Sequence, residues 1–255
     1  MKILFISLGC DKNLADSEEM LGLLTGNGHE IVDSEEEADA IVINTCCFIH
    51  DAKEESVNTI LEMAEYKKTG PCKILIVTGC MAQRYKEEIT EEIPEVDAVL
   101  GTTSYGDIVK ALNEAEAGHV FQEFKDINAL PEDSGRRVIT TGGHFGYLKI
   151  AEGCDKHCTY CIIPSLRGKF RSVPEERLLK QAEYMASQGV RELILVAQET
   201  TVYGTDLYGK KTLHILLKKL CQIKGIRWIR VLYCYPEEIY DELIQVMKED
   251  RKSVV

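Results

Sequence analysis

The sequence predicts an α/β fold in two parts, a doubly wound parallel-sheet domain over residues 1–135 and the first part of a TIM-like barrel over residues 136–255. Three observations carry this reading. Four short runs of Ile, Val and Leu alternate with helical patterns in the first 101 residues. The stretch FKDINALPEDSGRRVITTGGHFG, from Phe124 to Gly146, then mixes Pro, Gly and charge without periodicity, as a domain boundary does. After it, three strand-then-helix units follow one another, and alternation of this kind argues helices laid over a parallel sheet.

KILFISL (2–8) opens the first part as a strand buried on both faces. Leu14, Met20, Leu21 and Leu24 behind an Asn13 cap predict a helix, and DAIVINT (39–45) a second strand. Val57, Ile60, Leu61 and Ala64 have the i, i+3, i+4, i+7 spacing of one buried helix face. KILIVTG (73–79) and VDAVLG (96–101) complete the strands of this part. In the second part YLKIAEG reads as a strand, followed by a helix opened by Pro174 with Leu178, Leu179, Ala182 and Met185 inward. The strand ELILVAQ, a helix from about Thr212, the strand WIRVLY and a helix after Pro236 continue the series. Three strands cannot close a barrel and would leave an apolar face and a sheet edge uncovered, so the sequence reads as the front portion of a longer protein.

Forty-two acidic against thirty basic residues give a formal net charge of −12. That field repels phosphate backbones, so a nucleic-acid substrate would need a local basic patch. MKILFISLGC is too short for a secretion leader and runs at once into charged residues. No run approaches the ~20 apolar residues of a membrane span. Ten cysteines without a leader point to a reducing compartment, the cytoplasm, where grouped thiols are more often metal ligands than disulfides.

Cys10, Cys46 and Cys80 each fall close to the end of a strand, and in a parallel sheet those ends share one edge, where open α/β sheets bind ligands. They are either three buried structural cysteines or one metal site; Gly9 and Gly79, each directly before a cysteine, favour a backbone bent tightly around a cluster. Cys154, Cys158 and Cys161 form CxxxCxxC on one loop after a strand. Fe–S clusters normally take four thiolates, and three on a four-iron cluster leave one iron open to bind substrate or cofactor. Structural zinc is the competing occupant, with His157 as its fourth ligand, although zinc usually pairs CxxC with a second CxxC or with histidines.

Arg167, Lys169 and Arg171 after this loop are either contacts for an anionic group or a solvated turn. Of the remaining cysteines, Cys221 lies on a stripe with Leu213, Leu216, Leu217 and Leu220 and reads as core. Cys72 reads as a loop thiol, Cys47 as a competitor of Cys46, and Cys234 takes no role. His29, His50, His119, His144 and His214 show no ligand spacing.

CxxxCxxC with an aromatic residue, Tyr160, before its last cysteine resembles the signature of radical S-adenosylmethionine enzymes. Joined to the upstream three-cysteine domain and to IPSLRGKFRS after the loop, it resembles the methylthiotransferases over about residues 1–250. The resemblance implies two 4Fe-4S clusters, one on Cys154, Cys158 and Cys161, the other on Cys10, Cys46 and Cys80. It implies S-adenosylmethionine bound through its amino and carboxylate groups to the open iron, with Tyr160 and Gln198 as cofactor-binding residues. By its residues alone, Gln198 is a polar loop start on the rim where TIM-like barrels place their chemistry.

No acid–base residue is assigned a catalytic role, because the family removes hydrogen from an unactivated carbon by radical chemistry. One branch of the family modifies tRNA adenosines and another the β-carbon of an aspartate in a small-subunit ribosomal protein. SLGCDKNLADSE, INTCCFI and GCMAQRY are similar to the ribosomal-protein branch, whereas the tRNA enzymes tend to carry Gln-Met-Asn after the first cysteine. Asp11 where proline is usual, Cys47 where a small residue is usual and Val173 where arginine is usual depart from that pattern. A net charge of −12 suits a basic ribosomal protein as substrate. The resemblance also implies an electron donor such as flavodoxin or ferredoxin, and a continuation through the rest of the barrel into a TRAM domain. A fragment that binds clusters without turnover is the reading from outside the enzymes.

Overall fold

Aliphatic runs that stay apolar at every position, instead of alternating, belong to strands covered on both faces, and the first half of the chain is built from them. The computed structural model describes residues 1–133, 135–250 and 252–254. It separates into two units, Met1–Val138 with Tyr160–Arg167, and Ile139–Thr159 with Gly168 onward.

The first unit runs β1 (Lys2–Ser7), α1 (Asp11–Gly26), β2 (Glu30–Val32), β3 (Ala40–Thr45), α2 (His50–Thr69), β4 (Ile74–Gly79), α3 (Cys80–Tyr85), α4 (Glu87–Glu92), β5 (Ala98–Leu100), α5 (Ile108–Glu116) and β6 (Phe121–Glu123). Its six strands form one parallel sheet in the order β2-β1-β3-β4-β5-β6. β3 and β4 are buried at all positions. On one face Ile41, Ile43, Leu75 and Val77 pack with Ile60 and Met63 of α2; on the other Val42 and Ile76 pack with Met20 and Leu24 of α1 and Ile108 and Leu112 of α5.

From β1 the chain goes outward to β2, then returns to place β3 on the opposite side of β1. The connections leaving the carboxyl ends of β1 and β3 therefore diverge, and a crevice opens between them. The register pairs Ser7 with Asn44 and Thr45 with Gly79, so the three central strands end level with one another.

Two expectations change. Asn13 does not cap α1: Cys10 occupies that position and makes no side-chain cap bond, while Asn13 sits inside the first turn, fully buried. The buried face of α2 is Ser56, Ile60, Met63 and Ala64, and Val57 and Leu61 are exposed. The helix is rotated because the Ser56 hydroxyl accepts from the Cys46 backbone N–H at 3.0 Å and donates to the Cys46 carbonyl at 2.8 Å, which turns a polar position inward. The short strands β2 and β6 have too few residues for their periodicity to show in the sequence.

The second unit begins with β7 (Phe145–Lys149) and β8 (Ala151–Glu152). The next helix, α6 (Ile163–Arg167), lies in the first unit. The second unit then continues with β9 (Arg171–Ser172), α7 (Glu175–Ser187), β10 (Glu192–Val196), α8 (Thr205–Tyr208), α9 (Leu213–Leu220), β11 (Trp228–Val231), α10 (Asp241–Glu249) and β12 (Ser253–Val254). Its main sheet is parallel in the order β12-β11-β10-β7. The single strand expected at YLKIAEG divides at Ile150, and its second piece, β8, leaves that sheet to pair antiparallel with β9. α7 buries Leu178, Ala182 and Met185 as expected, whereas Leu179 is only half-buried.

Candidate functional site

Cys46 and Cys80 follow β3 and β4 without a gap, and Cys10 stands three residues after β1 at the head of α1. All three therefore lie at the carboxyl edge, beside the crevice between β1 and β3. Cys46 and Cys80 are buried and Cys10 is exposed, so the group opens to solvent through Cys10. Burial pushes the thiols of Cys46 and Cys80 up, and negative charge on the neighbouring cysteines of the three pushes the same way. Asn13 stands next to this group, its Oδ1 3.8 Å from Cys80 Sγ, although 70 residues separate the first cysteine from the last.

Glycine makes this corner possible. Gly79 has φ +92°, and a Cβ there would stand 2.5 Å from the Thr45 carbonyl oxygen and collide with Asn44 Oδ1. Gly9 has φ +91°, and a Cβ there would lie 2.7 Å from Cys46 Cβ and 3.1 Å from its sulfur. At Gly9 the space a side chain would fill is the space against the Cys46 thiol, and at Gly79 it is the space against the end of β3.

Beneath the cysteines lies a buried polar shelf. Asn13 Nδ2 donates to the carbonyls of Leu8, at 3.1 Å, and Thr45, at 2.9 Å, tying α1 to the ends of β1 and β3. Asn44 Nδ2 donates to the Asn13 carbonyl at 3.0 Å and to Ser17 Oγ at 2.9 Å. Arg167, at the end of α6 and 3% exposed, donates to Asp16 Oδ2 at 2.8 Å and to Asn13 Oδ1. Its positive charge and a hydrogen bond favour the thiolate of Cys80. Cys47, the expected competitor of Cys46, faces the core instead, and burial pushes its thiol up to about 12.

Among the described residues no three Cys, His, Asp or Glu side chains close around a single metal ion. A four-iron cluster asks for a different arrangement, because each cysteine bonds a different iron and the thiols stand apart around the core. The all-thiol donor set, the glycine-cleared corner and the buried cation fit such a cluster.

The second set of cysteines lies on the loop after β8, with Cys154 buried and Cys158 and Cys161 partly exposed. Gly153 at φ +72° turns the chain into that loop, where a Cβ would stand 2.5 Å from the Gly168 carbonyl oxygen and collide with that of Lys169. The Cys154 N–H donates to the Gly168 carbonyl at 3.1 Å, and the Lys156 N–H points at Cys154 Sγ at 3.4 Å. Asp155 Oδ1 accepts from the Phe170 N–H at 3.0 Å. His157 is exposed.

Gln198 follows β10 by two residues, and its Oε1 is buried without a hydrogen-bond partner. An unmatched buried acceptor is rare in proteins and marks a place where a ligand donor fits. Tyr160 is 84% exposed. The basic run does not form one patch: Arg167 is buried against Asp16, Lys169 is exposed, and Arg171 donates back to the Lys169 carbonyl.

Asn13, Asn44, Ser56, Gly153 and Asp16 were not singled out from the sequence as parts of these sites, and Arg167 was read only as a contact for an anionic group or a solvated turn. Asn44 and Thr45 at the end of an otherwise apolar strand were the available signal.

The pattern of a family described as uncharacterized protein family UPF0004 matches residues 2–101, and that of the radical SAM superfamily matches residues 148–254. A curated protein of Lachnoclostridium phytofermentans, named ribosomal protein uS12 methylthiotransferase RimO, is 66% identical over 99% of this chain and 57% of its own length. Proteins of the same name from Clostridium botulinum (strain Eklund 17B / Type B) and Clostridioides difficile are 53% and 52% identical. The chain thus spans 57% of the length of the first of these relatives. Among solved structures, a radical S-adenosylmethionine methyltransferase, TsrM of Kitasatospora setae with cobalamin and a 4Fe-4S cluster bound, superimposes with a TM-score of 0.62 at 11% identity. That match covers 96% of this chain and 56% of the other, and shows likeness of fold.

Proposed function

Since the chain belongs to the radical S-adenosylmethionine methylthiotransferases, we propose that it serves in attaching a methylthio group to the β-carbon of an aspartate in ribosomal protein uS12. The observation that supports this reading is that Cys10, Cys46 and Cys80 all stand at the carboxyl edge of one parallel sheet, in a chain that also holds CxxxCxxC. The relatives that share 66% and 53% of its residues bear the uS12 name, which favours the ribosomal protein over tRNA.

Cys154, Cys158 and Cys161 would hold one 4Fe-4S cluster and Cys10, Cys46 and Cys80 the other. When bound, the clusters and S-adenosylmethionine supply the radical chemistry that an unactivated C–H bond requires. The chain's own residues position and shield. Gly9 leaves room beside Cys46, Gly79 lets the chain turn closely past Asn44 and Thr45 into Cys80, and Asn13 and Asn44 fix the loops that present the thiols. Gly153 and Asp155 hold the CxxxCxxC loop in its turn. Gln198 offers its buried acceptor to a donor of the cofactor. Among the described residues no helix is long and apolar enough to cross a membrane. An electron donor of the flavodoxin or ferredoxin type completes the reading.

Co-expression of this chain with uS12, followed by mass spectrometry of the uS12 peptides and nucleoside analysis of tRNA, tests the proposal. Methylthiolated aspartate with unmodified adenosine supports it. Methylthiolated adenosine beside unmodified uS12 contradicts it. An unmodified pair, with 5′-deoxyadenosine absent from an anaerobic reaction containing strong reductant, identifies a cluster-binding piece without turnover.

A further inference from the structure

The Asp16–Arg167 pair is 5% and 3% exposed. A buried ion pair is a poor device for stability alone, because desolvating two charges offsets most of their attraction and apolar residues of the same volume serve as well. Charge at this place therefore points to another task. Arg167 is anchored twice, by Asp16 Oδ2 at 2.8 Å and by Asn13 Oδ1, and Asn13 Oδ1 lies 3.8 Å from Cys80 Sγ. The guanidinium and the buried thiol of Cys80 thus share one neighbour, Asn13 Oδ1.

Resting on the reading that Cys10, Cys46 and Cys80 hold a four-iron cluster, we propose that Arg167 is a positioning residue that tunes the reduction potential of that cluster, with Asp16 moderating its charge. Three thiolates outweigh the positive charge of an oxidised four-iron core, so the cluster is anionic and becomes more so on reduction. A fixed cation that also donates hydrogen bonds stabilises the reduced form more than the oxidised form, and raises the potential. Lysine keeps the charge but lacks the planar fork that binds Asp16 and Asn13 together, so it would serve less well.

The test uses the full chain with Cys154, Cys158 and Cys161 all changed to alanine, reconstituted anaerobically so that only the first cluster remains. Its midpoint potential is measured by redox titration followed by electron paramagnetic resonance. Arg167→Met is expected to shift the potential to more negative values, Arg167→Lys to shift it less, and Asp16→Asn to shift it to more positive values. Opposite signs for Arg167→Met and Asp16→Asn are what a purely structural tie would not produce. Unchanged potentials, or shifts of one sign in both, would overturn the proposal. Should Arg167→Met fail to keep iron, Arg167→Lys and Asp16→Asn decide by the same signs. A background protein that binds no iron at all overturns the underlying reading of the three cysteines, and this inference with it. Iron bound at a potential that none of the variants moves overturns the inference alone.

Discussion

At the scale of the residue, the site depends on positions where a single atom too many breaks the arrangement. Changing Gly79 to Ala puts a Cβ against Asn44 and Thr45 in a backbone conformation, φ +92°, that side chains rarely adopt. A loss of about 2–4 kcal/mol of stability is expected from strain and displaced neighbours, with loss of the first cluster. Denaturant unfolding of the iron-free protein, and iron analysis of the reconstituted one, check both parts. Gln198 gives a second prediction, because its Oε1 is buried and unmatched. Gln198→Ala should weaken S-adenosylmethionine binding by about tenfold, the worth of one buried hydrogen bond to a charged group. Equilibrium dialysis against the reconstituted chain measures it, and unchanged affinity would remove Gln198 from the cofactor site. The cysteines were legible in the sequence because their spacing is a chemical pattern. Asn13 was not: Asn near a helix start reads as a cap, and only the fold reveals that its amide reaches Thr45, 32 residues away.

At the scale of the element, α2 shows how the site imposes on secondary structure. Its periodicity favoured Val57 and Leu61 inward, yet Ser56 takes the inner face because the Cys46 peptide needs both a donor and an acceptor. Ser56→Ala strands both groups in a buried place, and a loss of about 1–3 kcal/mol is expected. Urea unfolding of the iron-free chain should show it as a lower midpoint with an unchanged slope. The strands were legible wherever they were long and buried on both faces, as β3 and β4 are, since unbroken Ile and Val runs have few other uses. β2, β6 and β12 have two or three residues each, held by pairing to a neighbouring strand that no local pattern announces. The split of YLKIAEG at Ile150 was hidden for the same reason, because β8 is defined by its partner β9 and not by its own residues.

At the scale of the whole molecule, a net charge of −12 gives the proposed ribosomal-protein substrate a test in salt dependence. Attraction of this chain to a basic ribosomal protein weakens as salt rises, whereas repulsion from tRNA is relieved. Association with uS12 should slow several-fold between about 0.05 and 0.5 M salt, as screening of opposite charges requires. Stopped-flow measurement across that range checks it, and a rate that rises with salt would speak for a like-charged partner. The parallel order β2-β1-β3 places the crevice beside Cys10 and Cys46, and it could be anticipated only as far as the strand ends share one edge. Which strands are neighbours is a property of the assembled sheet.

On the proposed function the chain carries two separate cysteine triads, each of which would hold a four-iron cluster. Iron and acid-labile sulfide are counted in the anaerobically reconstituted chain and in the variant with Cys154, Cys158 and Cys161 changed to alanine. About eight irons falling to about four, with sulfide in step, is the predicted result for two four-iron clusters on independent ligand sets. Zinc in place of iron, or the same iron content in both proteins, would contradict it.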